Sequence, residues 1–195
     1  MDSLNVTLHI HLVLHTTLSL ISVITATYNC RQTLEGCLAS VQSQVGVNID
    51  HVVVDGASRD GTRELLVSRR DEFGAFVSEP DNGIYDALNK GIGLARGDLV
   101  GFLHADDLFA DSQALSRIVE AFTDPAVQAV YSDLCYVRQE NPSSVVRFWP
   151  AGAFSQEKLA QGWMPPHPTL YLRRHCYEEF GGFDTSYRIA ADYHS

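Results

Sequence analysis

The chain reads as an α/β domain with a mainly parallel sheet covered by helices on both faces. Between Leu20 and Leu103, apolar runs of strand length alternate with stretches in which apolar residues return at helical spacing. Each run is mainly apolar, as a strand buried on both sides requires, and each gives way to a polar loop. The 195 residues suffice for one domain with a substantial core.

Leu20 to Thr25 is the first β-branched run, and from Arg31 the residues Leu34, Cys37, Leu38 and Val41 mark a helix. Ile49 to Val54 repeats the strand pattern and stops at Asp55-Gly56, after which Thr62 is placed to cap a helix carrying Leu65, Leu66 and Phe73. Ala75 to Ser78 is the third strand, and Ile84 to Ala95 a helix with Leu88, Ile92 and Ala95 on one face. Leu99 to Leu103 is the fourth strand, and Leu170 to Leu172 a later one. The domain is expected over residues 19–195. Residues 1–18 form an extension, broken by His9, His11 and His15, without the basic start or cleavage site of a signal peptide and too short to span a bilayer.

Fourteen basic residues against 24 acidic ones, net −10, leave no basic stripe for nucleic acid. The only lysines are Lys90 and Lys158, so a small phosphorylated ligand would need a cation to neutralise it. Cys30, Cys37, Cys135 and Cys176 have no metal-binding spacing and read as buried or incidental thiols of a reducing, cytoplasmic compartment.

Ligands of parallel sheets bind at the carboxyl ends of the strands. Here those ends carry Thr25-Ala26-Thr27-Tyr28-Asn29, the loop from Asp55 to Thr62, Glu79-Pro80-Asp81-Asn82-Gly83, and His104-Ala105-Asp106-Asp107. Singly, each has a local explanation as a turn or helix cap. Together they supply the acceptors and hydroxyls that a nucleobase and ribose require. The adjacent carboxylates Asp106 and Asp107 repel one another, which solvent or a divalent cation relieves. Gly91-Ile92-Gly93 closes a helix rather than following a strand, so it is no dinucleotide fingerprint, and no Walker A loop is present. A metal-bridged diphosphate is the remaining option.

Ile21 to Asn29, the Asp55-to-Thr62 loop, Gly83-Ile84-Tyr85-Asp86-Ala87-Leu88-Asn89-Lys90-Gly91 and the His104-to-Asp107 turn resemble family 2 glycosyltransferases, enzymes of the GT-A fold. The similarity runs from about Leu20 to the last residue, and the Gly83-to-Gly91 stretch especially resembles colanic-acid-type enzymes of bacterial exopolysaccharide assembly. The resemblance implies an inverting transferase that uses a nucleotide-diphosphate sugar, UDP-sugar favoured, with Mg2+ or Mn2+. Its acceptor would be a glycan or lipid-linked, with peripheral association at the inner face of the cytoplasmic membrane.

Carried onto matching positions, the resemblance has Asp55 accept a hydrogen bond from the base. Thr25, Thr27, Tyr28, Ser58, Asp81 and Gly83 line the donor pocket, with Asn89 and Lys90 also on the donor. Asp106 faces ribose or metal, Asp107 holds the cation, and His167 lies near metal or diphosphate. Asp192 deprotonates the acceptor, preceded here by Ala191 where the family usually has Glu. Trp149 and Trp163 are candidates to stack on an acceptor sugar. In the family a helix follows that acid, whereas this sequence stops at Ser195. The alternative expectation is therefore a nucleotide-sugar-binding fragment that turns over weakly and acts through a partner.

Overall fold

The first apolar run becomes β1 (Leu20–Thr27), the heart of a six-stranded sheet, in a computed structural model that describes residues 19–187. On one side β1 pairs in parallel with β2 (Asn48–Asp55), and β2 with β3 (Ala75–Ser78). On the other side β1 pairs in parallel with β4 (Leu99–Phe102). Strand order therefore reverses at β1, and the crevice between β1 and β4 is the switch point at which such sheets bind ligands.

Side-chain alternation along these strands assigns each face its helices. Ile21, Val23, Leu99 and Val53 face α1 (Arg31–Gln42), α2 (Thr62–Ser68) and α4 (Ala114–Ala121), which contribute Leu34, Cys37, Leu38, Val41, Leu66 and Leu115. Ile24, Val52, Val54, Val100 and Phe102 face α3 (Ile84–Leu94), which contributes Ala87 and Leu88. A Cβ placed on Gly91 would fall 2.3 Å from Ile24 Cγ2, so a residue without one lets α3 lie directly on β1.

Two differences from the sequence reading fall at α2. Gly61, at φ 95°, takes the N-cap position of α2, and Thr62 is instead its first residue. The Thr62 hydroxyl accepts the Cys30 N–H at 3.0 Å, while the Thr62 N–H donates to Asp60 Oδ1 at 3.0 Å. Helix α2 also ends at Ser68, and a 3-10 turn over Arg70–Glu72 delivers Phe73 to the core from outside the helix.

Beyond β4 the chain adds β5 (Ala129–Val130), a hairpin of β6 (Leu134–Arg138) and β7 (Asn141–Trp149), α5 (Gln156–Ala160), β8 (Tyr171–Arg173) and α6 (Arg174–Phe180). The hairpin forms a separate two-stranded sheet. Strand β8 enters antiparallel between β4 and β5, giving the order β3-β2-β1-β4-β8-β5. Gly101 of β4 lies beneath the Tyr171 ring, where an added Cβ would come within 2.2 Å. The four cysteines are free, with Cys37 buried and Cys135 exposed.

Candidate functional site

A cavity of about 1280 Å3 opens at the carboxyl ends of β1, β2 and β4. Thr27, Tyr28, Asp81, Gly83 and Asp106, all among the residues named from the sequence, line it. Arg31, Arg59, Asp60, His104 and Gln139 line it as well. Gln139 comes from the turn between β6 and β7, so the separate hairpin reaches the cavity by its tip.

Two loops form the wall nearest β1 and β2, and side-chain bonds lock them together. The Asn29 N–H donates to Ser58 Oγ at 2.8 Å, and Asn29 Oδ1 accepts the Arg59 N–H at 2.9 Å. Asp60 Oδ2 accepts the Arg31 N–H at 3.0 Å and so caps α1 from the neighbouring loop. Asn29 (φ 48°) and Ala57 (φ 59°) hold left-handed backbone that costs a residue with a Cβ about 1 kcal/mol or more. Both line the cavity.

Asp55 is fully buried beneath these loops. Its Oδ1 accepts Thr27 Oγ1 at 3.1 Å and Ser58 Oγ at 2.5 Å; its Oδ2 accepts the Ser58 N–H at 3.1 Å and Ser78 Oγ at 2.6 Å. Four internal donors occupy the lone pairs of one carboxylate. Asp55 and Ser58 therefore tie strand ends together and do not line the cavity, in contrast to the direct contact with a base that the resemblance implies. Asp81, by contrast, lines the cavity. Its Oδ1 accepts the Gly83 N–H at 2.9 Å, and its Oδ2 lies over Gly56, where an added Cβ would sit 2.5 Å away and 3.2 Å from the Tyr28 ring.

The acidic turn is held from two directions. The His104 carbonyl accepts the Asp107 N–H at 2.9 Å and the Cys37 thiol at 3.4 Å. Burial pushes that thiol up to about 12, so it stays protonated and able to donate. Asp106 is exposed and lines the cavity, whereas Asp107 is half-buried and does not. Burial raises the Asp107 carboxyl above its ordinary value; His104 opposes this and Asp106 adds to it. Among the described residues, no group of three or more His, Cys, Asp or Glu is arranged to hold a metal.

Other expected residues lie apart from the cavity. Thr25 shares a strand face with Thr27 but lies two residues further from the carboxyl end of β1, inside the sheet, its hydroxyl 3.1 Å from His51 Nε2. Lys90 pairs with Glu79 at 2.9 Å and Asp86 at 3.5 Å and lines a second cavity of about 500 Å3 beside β3. Asn89 bonds the backbone of Phe183. His167 opens a 3-10 turn with its ring stacked on Phe102 at 5.3 Å and 5.9 Å from His104. Trp163 packs edge-on against Tyr131 and Phe154 and donates to the Ala151 carbonyl at 3.2 Å; neither it nor Trp149 lines the cavity. Asp192 lies outside the described residues.

Arg31 and Arg59 are the functional side chains that sequence reasoning passed over. Arg59 sits inside a loop already singled out and Arg31 opens α1 just after another, and in an acidic chain two cations at one ligand-side edge were the available signal.

Residues 22–178 match the model of glycosyl transferase family 2, and the chain belongs to that family. An uncharacterized glycosyltransferase of Mycobacterium tuberculosis (strain H37Rv) is 33% identical over 174 residues, covering 88% of this chain and 65% of the relative. A PGL/p-HBAD biosynthesis glycosyltransferase of Mycobacterium bovis (strain BCG) is 31% identical, covering 88% of this chain and 66% of the relative. The chain thus spans about two thirds of the length of these curated relatives. Among solved structures, S. aureus TarS superposes with a TM-score of 0.73 at 20% identity, over 89% of this chain and 32% of that one. The mannosyltransferase PcManGT from Pyrobaculum calidifontis, in complex with GDP-Man and Mn2+, gives a TM-score of 0.65 at 26% identity, over 87% of this chain and 49% of that one. The fold is GT-A.

Proposed function

We propose that this domain binds a nucleotide-diphosphate sugar and transfers the sugar, with inversion, to a glycan or lipid-linked acceptor in cell-surface polysaccharide or glycolipid assembly. The observation that carries this is the meeting of Tyr28, Arg31, Arg59, Asp81 and Asp106 around one cavity at the switch point. The solved neighbours include complexes with UDP, UDP-GlcNAc and GDP-Man, and the M. bovis relative named for PGL/p-HBAD biosynthesis supports a lipid-type acceptor. Among the described residues no helix is long and apolar enough to cross a membrane.

A uridine donor is favoured by the base end. Asp81 has one carboxylate oxygen committed to Gly83, leaving the other beside the Tyr28 ring. One free acceptor matches the single N3–H of uracil better than the paired donors of guanine. At the opposite side Asp106 and Asp107 carry the oxygen donors that would hold a hard divalent cation beside the diphosphate. When bound, Mg2+ or Mn2+ neutralises charge that develops on the leaving diphosphate. Arg31 and Arg59 add positive charge on the same cavity.

Asp192 is the residue proposed to take the proton of the acceptor hydroxyl as it attacks the anomeric carbon from the face opposite the diphosphate. Incubation with UDP-sugars, Mn2+ and candidate acceptors should release UDP, and Asp192→Asn should cut that release by about 10²- to 10⁴-fold while UDP binding persists. Metal-dependent UDP binding without release in any combination would instead favour the weak binding fragment. Absence of both binding and release would contradict the proposal.

A further inference from the structure

We infer that Asn89 is a positioning residue: its side-chain amide clamps the backbone of Phe183 and so fixes the start of the segment that leads to Asp192. This rests on the transfer reading above and assigns Asn89 a role in it other than donor contact.

The two residues are 94 apart in sequence, yet they exchange a pair of bonds. Asn89 Nδ2 donates to the Phe183 carbonyl at 2.8 Å, and Asn89 Oδ1 accepts the Phe183 N–H at 2.8 Å. The amide thus pairs with Phe183 much as a residue of a neighbouring strand would. A carboxylate lacks the donor for this, an aliphatic side chain lacks both groups, and Gln would set the amide one methylene too far. Gly182 completes the fit, since a Cβ there would fall 2.3 Å from Asn89 Oδ1.

The Phe183 side chain is gripped as firmly as its backbone. The ring is 7% exposed and lies 5.4 Å from Tyr85, 5.7 Å from Phe102 and 5.5 Å from His167. His167 in turn stands 5.9 Å from His104, which lines the donor cavity. Asp192 follows Phe183 by nine positions in the sequence. Asn89 itself does not line the donor cavity, and both ends of its amide are engaged.

The test compares wild type, Asn89→Leu, Asn89→Asp and Gly182→Ala in the full chain, by turnover of a UDP-sugar, calorimetric binding of UDP with Mn2+, and amide hydrogen exchange across residues 181–187. The clamp predicts a fall in kcat of roughly ten- to a hundredfold, the scale of a displaced catalytic group. Donor KM and UDP affinity should stay within about twofold, and the Phe183 amide should lose protection. Asn89→Asp keeps one bond of the pair and should lie between wild type and Asn89→Leu, which serves if the latter fails to fold. A tenfold loss of UDP affinity with exchange unchanged would make Asn89 a donor ligand and overturn the inference, as would unaltered kcat. If wild type binds no nucleotide, the donor reading fails on its own, and hydrogen exchange still decides the clamp: unchanged protection in Asn89→Leu rejects it.

Discussion

Asp55 and Asp81 show how two aspartates at neighbouring strand ends come to do different work. Asp55 is sealed by four donors, whereas Asp81 keeps one oxygen for the cavity. Asp55→Ala should strand those donors and cost about 2–4 kcal/mol in urea unfolding. Asp81→Asn should change stability by about 0.5 kcal/mol or less and weaken UDP binding about tenfold or more, read by calorimetry. The sequence marks both positions through their loops, but spacing alone does not say which carboxylate turns inward. That depends on where Thr27, Ser58 and Ser78 arrive, and Ser78 reaches Asp55 from a different strand.

At the scale of elements, the parallel strands and their helices were legible because burial on both faces leaves unbroken apolar runs. Strand β8 and the β6–β7 hairpin were less so. A three-residue run such as Tyr171–Arg173 has the same pattern in either direction, and β8 is antiparallel only because its neighbours make it so. In β7, Val145, Val146 and Phe148 are all exposed, so the alternation that would betray a half-buried strand is absent, and the register with β6 shifts near Val137. The close packing of α3 on β1 yields a prediction. Gly91→Ala gains helix propensity of about 1 kcal/mol, yet its methyl meets Ile24. Overpacking of about 1–3 kcal/mol should win, lowering Tm, whereas Gly93→Ala, with open space around it, should raise Tm.

Across the whole molecule, a second buried polar network sits at the end of the sheet opposite the cavity. At the amino ends of the strands, buried Asp50 accepts bonds from Ser22 Oγ at 2.8 Å and from the Arg96 N–H at 2.9 Å, with the Arg96 guanidinium on its other oxygen. Burial pushes this carboxyl up, but Arg96 and Ser22 outweigh it and hold it below its ordinary value. Next to it, burial and, less strongly, the Arg69 charge lower His51 from 6.5 to about 4 against the opposing pull of Asp50 and Glu72. His51 is neutral in both states above pH 6.5, so its penalty begins only when the unfolded chain takes up a proton. Stability should therefore fall between pH 6.5 and about 4, by an amount on the order of 3 kcal/mol, and His51 should contribute no further loss below that. Asp50 continues the decline as pH drops through its lowered folded value. Urea unfolding from pH 7 to 4 checks the slope, and His51→Asn should flatten it.

The cavity end is tested by thermal denaturation with UDP and Mn2+, alone and together, in wild type and Asp106→Asn, with GDP and ADP alongside. At a hundred times Kd, a ligand that binds only the folded state adds about 2.7 kcal/mol, enough to raise Tm by roughly 5–10 °C in a chain of this size. The account predicts that rise with UDP and Mn2+ together, a much smaller one with either alone, and none in Asp106→Asn. No Mn2+-dependent rise with any nucleoside diphosphate, or a full rise in Asp106→Asn, would contradict it.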